Sequence, residues 1–188
     1  VDTELFSYRF DPANRHEGIS ARGLNITKYG LDLAIRAFAG RPAGGLVILG
    51  RGPLEGRYRK LIARTNSRAV LRVESIPHRE MPALYGHFGF FLAPSRVEAQ
   101  GVAMCEAMAC GLPVIATRIG GIPEFVDHER EGFLVAPEDP AALRRAVEEL
   151  LADPARHLAM SHHARVRMEA QCAPSVVTGR ELALLAGE

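Results

Sequence analysis

Short apolar runs alternate with helix-periodic stretches between residues 18 and 152, and this alternation limits the fold more than any other feature of the chain. Residues 18–21, 45–49, 69–73, 88–93, 113–117 and 132–135 are runs of strand length, apolar enough to be buried on both faces. Between them, 29–39 carries Leu31, Ala34, Ile35 and Phe38 at helical spacing, and 54–65, 80–86, 102–109, 122–127 and 140–152 read as further helices. Gly111 closes the fourth of these, and Asp139 is placed to N-cap the last. A final helical stretch over 155–170 resumes after Pro174. Strands alternating with helices at this spacing predict an α/β fold, a Rossmann-like parallel sheet with helices on both faces and ligands at the carboxyl ends of the strands. The chain divides into a linker or N-terminal extension (1–17), the Rossmann-like domain (18–154) and a helical tail (155–188).

Composition narrows the function. The 188 residues carry 23 basic and 22 acidic side chains, a net charge of +1, so no whole-molecule field recruits nucleic acid and any anion is met locally. Cys105, Cys110 and Cys172 form no even disulfide framework and read as buried thiols of a reducing compartment. No apolar run approaches ~18 residues and no signal pattern opens the chain, so the expected location is cytoplasmic. The first residue, Val1, suits a fragment or a processed product. His162 and His163 are adjacent, no His-Glu-x-x-His spacing occurs, and no metal site is expected. His78 and His87 read as exposed.

Three places can carry chemistry. Gly50-Arg51-Gly52-Pro53 follows a strand and opens a helix, with Glu74 about 20 residues on, as in a dinucleotide fold. Pro53 removes an amide donor and Gly56 stands one residue late, so the stretch reads instead as a glycine-rich turn at the ligand mouth. The second place is 94–113, where a polar loop leads into a helix near Gly101. Free amides and the helix dipole make an anion site there, and Gly101 lets a phosphate approach the backbone. Glu98 and Glu106 flank it, and carboxylates accept bidentate hydrogen bonds from vicinal hydroxyls. The implied ligand is a pyrophosphate with a sugar on each side, a nucleoside diphosphate sugar. A hydrolytic carboxylate pair is disfavoured because eight positions along a loop and helix direct the two groups to separate parts of a long ligand. Third, Arg22 and Lys28 stand where two cations neutralise a leaving diphosphate.

The segment Pro94–Pro113 resembles the motif of the retaining GT-B glycosyltransferases of group 1, family 4-like: two glutamates flank a glycine, followed by Ala107-Met108-Ala109-Cys110-Gly111-Leu112-Pro113. Gly50-x-Gly52-Pro53, Met81 to Tyr85, Gly120-Gly121-Ile122-Pro123-Glu124 and Gly132-Phe133-Leu134-Val135 arrive in that family's order, and Val1 to Phe6 looks like its interdomain segment. The resemblance implies the C-terminal half of a GT-B fold, which binds the nucleotide sugar as donor substrate and uses no cofactor and no metal. It implies that Arg22, Lys28 and Glu98 are the catalytic group: the two cations bind the diphosphate and Glu98 holds hydroxyls of the transferred sugar. Glu106 would hold the ribose, and the amides of Gly101 and Val102 would add to the anion site. Ile76 and Pro77 would pass beside the base, and Gly50, Gly52, Ser95 and Gln100 complete the substrate-binding set. Tyr29, between Lys28 and Gly30, departs from a pattern in which lysine often directly precedes glycine, and Gln100 replaces a common aromatic. The partner is then a missing N-terminal acceptor-binding domain, through which any contact with the inner face of a membrane would run. An acceptor hydroxyl on a sugar, glycan or lipid-linked sugar would receive a hexosyl group with retention, and the isolated chain would bind donor but transfer poorly. A sugar-nucleotide epimerase or phosphorylase of the same fold, and a non-catalytic nucleotide-sugar-binding module, are the rival readings.

Overall fold

Strands that are apolar on both faces need two layers of cover, and the chain supplies them. The computed structural model describes residues 1–40 and 44–186; residues 41–43 of the 18–154 domain and 187–188 of the 155–188 tail lie outside the described residues. Glu17–Ala21 (β1), Gly45–Leu49 (β2), Ala69–Arg72 (β3), Phe90–Ala93 (β4), Val114–Thr117 (β5) and Gly132–Val135 (β6) form one parallel sheet in the order β3-β2-β1-β4-β5-β6. Ile19 of β1 is in register with Val47 on one side and Phe91 on the other. The helices are Leu31–Ala37 (α1), Glu55–Thr65 (α2), Met81–Tyr85 (α3), Val102–Ala109 (α4), Ile122–Phe125 (α5), Pro140–Ala152 (α6), Pro154–Cys172 (α7) and Pro174–Ala186 (α8).

Because side chains alternate across a strand, β2, β4, β5 and β6 feed both cores. β1 feeds one core through Ile19, whereas the edge strand β3 feeds the other through Ala69 and Leu71, leaving Val70 exposed. Ile19, Phe91, Val114 and Leu134 pack with Met104, Met108 and Met168 of α4 and α7. Leu46, Ile48, Phe90 and Ile115 pack on the opposite face with Leu31, Ile35, Tyr58 and Val147 of α1, α2 and α6. Each such side chain, fully buried, contributes roughly 1.5–3 kcal/mol. All three cysteines are buried free thiols, as the sequence predicts. The first residues also join the core: Phe6 is buried, Tyr8 Oη lies 2.9 Å from Ser161 Oγ, and Arg165 donates to the carbonyls of Thr3 and Phe6. No helix among the described residues is long and apolar enough to cross a membrane.

The predicted helices 102–109 and 140–152 and the strands 45–49 and 132–135 match the structure residue for residue. Elsewhere the ends differ, for local reasons. The helix expected over 29–39 is a 3-10 turn at Thr27–Tyr29 followed by α1, broken at Gly30, whose φ of 63° is left-handed. A Cβ on Gly30 would sit 1.8 Å from the Pro94 carbonyl oxygen, so the glycine admits the β4 loop. The strand expected from residue 88 starts at Phe90 because the backbone of Arg15 presses on Gly89, whose amide turns to the Glu17 carbonyl. α5 stops at Phe125, where Val126 becomes extended, and α7 starts one residue earlier and ends two later than expected, with Asp153 accepting from the Arg156 amide as its N-cap.

The chain runs from β1 outward to β2 and β3, then returns to place β4 on the other side of β1. The loops leaving β1 and β4 therefore diverge and leave a crevice at the carboxyl ends of those strands.

Candidate functional site

Arg22 is the first residue after β1 and Glu98 lies in the loop after β4, so the reversal of strand order brings them together. Nη2 of Arg22 is 3.3 Å from Oε2 of Glu98, and the two side chains are 8% and 11% exposed. Ser95 is fully buried and donates from Oγ to the same carboxylate oxygen over 3.4 Å, so it acts on Glu98 from behind rather than lining the crevice. The Arg22 guanidinium lies between the rings of Tyr29 and Phe91, 5.5 and 5.6 Å from their centroids. Lys28 Nζ lies 5.1 Å from the same Tyr29 centroid, so one aromatic ring serves both cations.

Nε and Nη2 of Arg22 are buried without a hydrogen-bond partner. Withdrawing a guanidinium from water costs several kcal/mol, and the ion pair at 3.3 Å leaves Nε with no acceptor. Buried donors left without an acceptor are rare and call for a structural or functional reason.

Gly101 joins this point. It is the N-cap of α4 with φ 74° and no side chain capping the first turn. A Cβ there would lie 3.5 Å from Glu98 Cγ and 3.6 Å from Arg22 Nη2. Val102 is exposed beside it, as is Gln100. The 98–99 loop is held from β5 by Gly120 and Gly121: the Gly121 amide donates to the Glu98 carbonyl at 3.2 Å, and a Cβ on either glycine would meet that loop's backbone at 2.0 Å or less.

Glu106, one turn beyond Val102 on α4, has a side chain only 11% exposed. Its Oε1 is 2.7 Å from Nε2 of His78, which follows the β3 loop and rests its ring 5.1 Å from that of Phe6. Tyr85 of α3 donates to the Ala103 carbonyl at 3.3 Å, and burial, reinforced by the charge of Glu106, raises its pKa.

A cavity of about 310 Å³ opens at the ends of β1, β2 and β3, lined by Arg22, Gly50, Glu74, Ser75, Ile76 and Met81 among others. Pro77 stands exposed on the same loop. The glycines of the turn after β2 have backbone reasons to be glycine: a Cβ would come 1.9 Å from the Arg22 carbonyl oxygen at Gly50 and 2.3 Å from the Leu24 carbonyl carbon at Gly52. They let the β1 and β2 loops close on each other beneath the cavity.

Arg22, Glu98 and Gly101 are therefore brought to one spot, with Lys28 tied to it through Tyr29, while Glu106 answers to His78. Sequence reasoning read His78 as exposed, as 65% of its side chain is, but did not foresee its bond to Glu106, and read Tyr29 only as a departure from a pattern. The one available signal was position, since His78 directly follows the loop at 74–77. Among the described residues, no group of three or more His, Cys, Asp or Glu side chains is arranged to hold a metal.

Residues 23–167 match the family of Glycosyl transferases group 1. The chain is 37% identical over 147 residues to a GDP-mannose-dependent alpha-(1-6)-phosphatidylinositol monomannoside mannosyltransferase of Mycolicibacterium smegmatis, covering 72% of this chain and 38% of that protein. Among solved structures, sucrose-phosphate synthase from Thermosynechococcus elongatus superposes with a TM-score of 0.87 at 27% identity, over 100% of this chain and 52% of the other. The C-terminal domain of a glycosyl transferase group 1 family protein, LpcC, from Francisella tularensis shares the fold, with a TM-score of 0.81 at 19% identity over 93% and 99% of the two chains. The chain thus spans well under half of the mannosyltransferase and about half of the synthase.

Proposed function

Since the chain belongs to the group 1 glycosyl transferase family and has the Rossmann-like fold of its GT-B C-terminal domains, we propose that it binds a nucleoside diphosphate sugar and that the whole protein transfers the hexosyl group to an acceptor hydroxyl, with retention and without a metal. The observation that carries this reading is the buried Arg22 guanidinium, ion-paired through Nη2 to Glu98 but with neither Nε nor Nη2 hydrogen-bonded, beside the uncapped start of α4. A diphosphate seated there meets Arg22, Lys28 and the first amides of α4, which spread the charge that develops as it leaves. Glu98 then faces hydroxyls of the transferred sugar, Glu106 faces the ribose, and the 74–77 loop lies alongside the base. The acceptor attacks on the face from which the diphosphate departs, and its proton passes to the leaving phosphate oxygen. No side chain is assigned as nucleophile, so positioning and electrostatics lower the barrier. The Mycolicibacterium relative, described as GDP-mannose-dependent, supports a nucleotide-sugar donor.

Calorimetric titration of UDP-, GDP-, ADP- and dTDP-sugars in EDTA tests the donor site. Saturable heat with one base class is expected; silence with all of them, or heat only after a divalent ion is added, would sink the reading. Proton NMR of the product formed by the full-length enzyme tests retention, and an inverted anomeric centre would overturn it.

A further inference from the structure

A second and larger cavity, of about 450 Å³, lies between α1 and α2 and shares no lining residue with the first. Helical spacing builds it: Arg57, Lys60, Leu61 and Arg64 fall at i, i+3, i+4 and i+7 on one stripe of α2, facing Asp32 and Arg36, at i and i+4 on α1. Asp32 is the sole carboxylate of the lining, and it is committed elsewhere. The Arg96 guanidinium grips it with two bonds of 2.8 and 3.0 Å. Burial alone would raise the pKa of Asp32, but the hydrogen bonds and charge of Arg96 outweigh it and hold the carboxyl below its usual range.

Among the described residues, neither Arg36, Arg57, Lys60 nor Arg64 forms an ion pair, whereas Arg59 of the same helix pairs with Glu55 at 2.8 Å. Like charges at i,i+3 and i,i+4 disfavour a helix, and among the lining residues only Asp32, on which Arg57 acts, opposes this stripe. The surroundings deepen the imbalance. Residues 51–72 carry seven basic side chains and one carboxylate, while 124–153 carry nine carboxylates and three arginines. A nearly neutral chain has thus sorted its charge toward opposite edges of the sheet, and a concave wall concentrates the positive field.

We propose that the α1–α2 cleft is a second anion site, which takes a phosphate-bearing ligand with two or more negative charges. Guanidinium forks match phosphate oxygens in pairs, and the volume lies within the range of roughly 300–1,000 Å³ usual for ligand pockets. The phosphate can belong to a soluble compound or to an anionic lipid headgroup. On its other flank α2 borders an apolar groove with Ile62, Ala63 and the exposed Val70.

The proposal is independent of the donor site and has its own test. Inorganic pyrophosphate is titrated into the labelled protein while backbone amide resonances are followed, and co-sedimentation is measured with phosphatidylcholine vesicles with and without phosphatidylglycerol. The comparison variant is Arg57→Ala/Lys60→Ala/Arg64→Ala, all three exposed positions, with Arg36→Ala on α1 as a second variant. Saturable shifts confined to α1 and α2, weakened at least about tenfold in the triple variant with its remaining spectrum intact, support a soluble phosphate ligand. Sedimentation only with the anionic vesicles, lost in the variants, supports a lipid headgroup. Absence of both effects, or variants that behave as the parent protein, overturns the proposal. Shifts at 101–103 report on the donor site and leave this conclusion untouched.

Discussion

Nε2 of His78 lies 2.7 Å from Oε1 of Glu106, so the buried carboxylate on α4 is steered by an imidazole from the loop after β3. In the proposed site this bond sets the direction in which Glu106 presents its free oxygen to the ribose. His78→Ala is expected to weaken binding of a free nucleoside diphosphate about fivefold, the size of one modest hydrogen bond, with His78→Gln recovering most of it. Calorimetry decides the point. Tighter binding in His78→Ala would identify the imidazole as a group the ribose must displace.

The Arg22–Glu98 contact gives opposite predictions for stability and for binding. Removing one partner leaves a buried charge alone, so Arg22→Met should cost about 3–5 kcal/mol in urea unfolding. The double variant Arg22→Met/Glu98→Leu should regain that loss and can exceed the parent by about 1–4 kcal/mol, because the desolvation of both ions is gone. It should nevertheless lose affinity for the nucleoside diphosphate by at least about tenfold. A double variant that is stable and binds normally would show that Arg22 is structural.

Division of labour between the two glutamates is separately measurable. Glu106→Ala should weaken the sugar nucleotide and its sugar-free diphosphate alike, whereas Glu98→Ala should mainly abolish the preference for the former. Equal losses for both ligands in both variants would remove the assignment.

These groups were unequally legible in the sequence. The stretches at 45–49, 132–135, 102–109 and 140–152 are bounded by their own composition and caps, and they fold as read. Gly30 and Gly89 were not, because what bounds α1 and β4 is the backbone of Pro94 and Arg15, distant in the chain. The same distinction separates the site residues. Arg22, Glu98 and Gly101 follow from general rules about strand ends and helix starts. His78 and Tyr29 act through neighbours that only the folded sheet supplies, respectively Glu106 and Phe6, and the two cations.

Two glycines with left-handed backbones should respond differently to alanine. At Gly101 the nearest atoms to an added Cβ are side-chain carbons at 3.5 Å, so Gly101→Ala bears only the conformational cost, about 1–2 kcal/mol. At Gly30 the added atom meets a carbonyl oxygen at 1.8 Å, and the β4 loop must shift. Thermal unfolding should therefore fall further for Gly30→Ala than for Gly101→Ala; the reverse order would mean that the β4 loop yields easily.

Acid sensitivity should trace to His157. It is 1% exposed, donates from Nε2 to the Gly89 carbonyl at 2.8 Å, and leaves Nδ1 buried without a partner. Burial lowers its pKa below 6.5, so the unfolded chain takes up a proton that the folded chain resists. Its contribution is complete above 6.5 and declines as pH falls below that value toward the folded pKa. Urea midpoints measured between about pH 7.5 and 5.5 should drop in the parent and drop less in His157→Phe. Parallel slopes would assign the acid sensitivity to other groups.

The place of β4 beside β1 has one more consequence. Arg22 and Glu98 are remote in sequence and meet only when the middle of the sheet has closed, so a chain assembled as far as β3 contains half an anion pocket and recognises nothing. In the proposed site, donor occupancy would therefore report completed assembly of both wings at once, and a nucleotide added during refolding should bias the last docking step while leaving the first three strands indifferent to it.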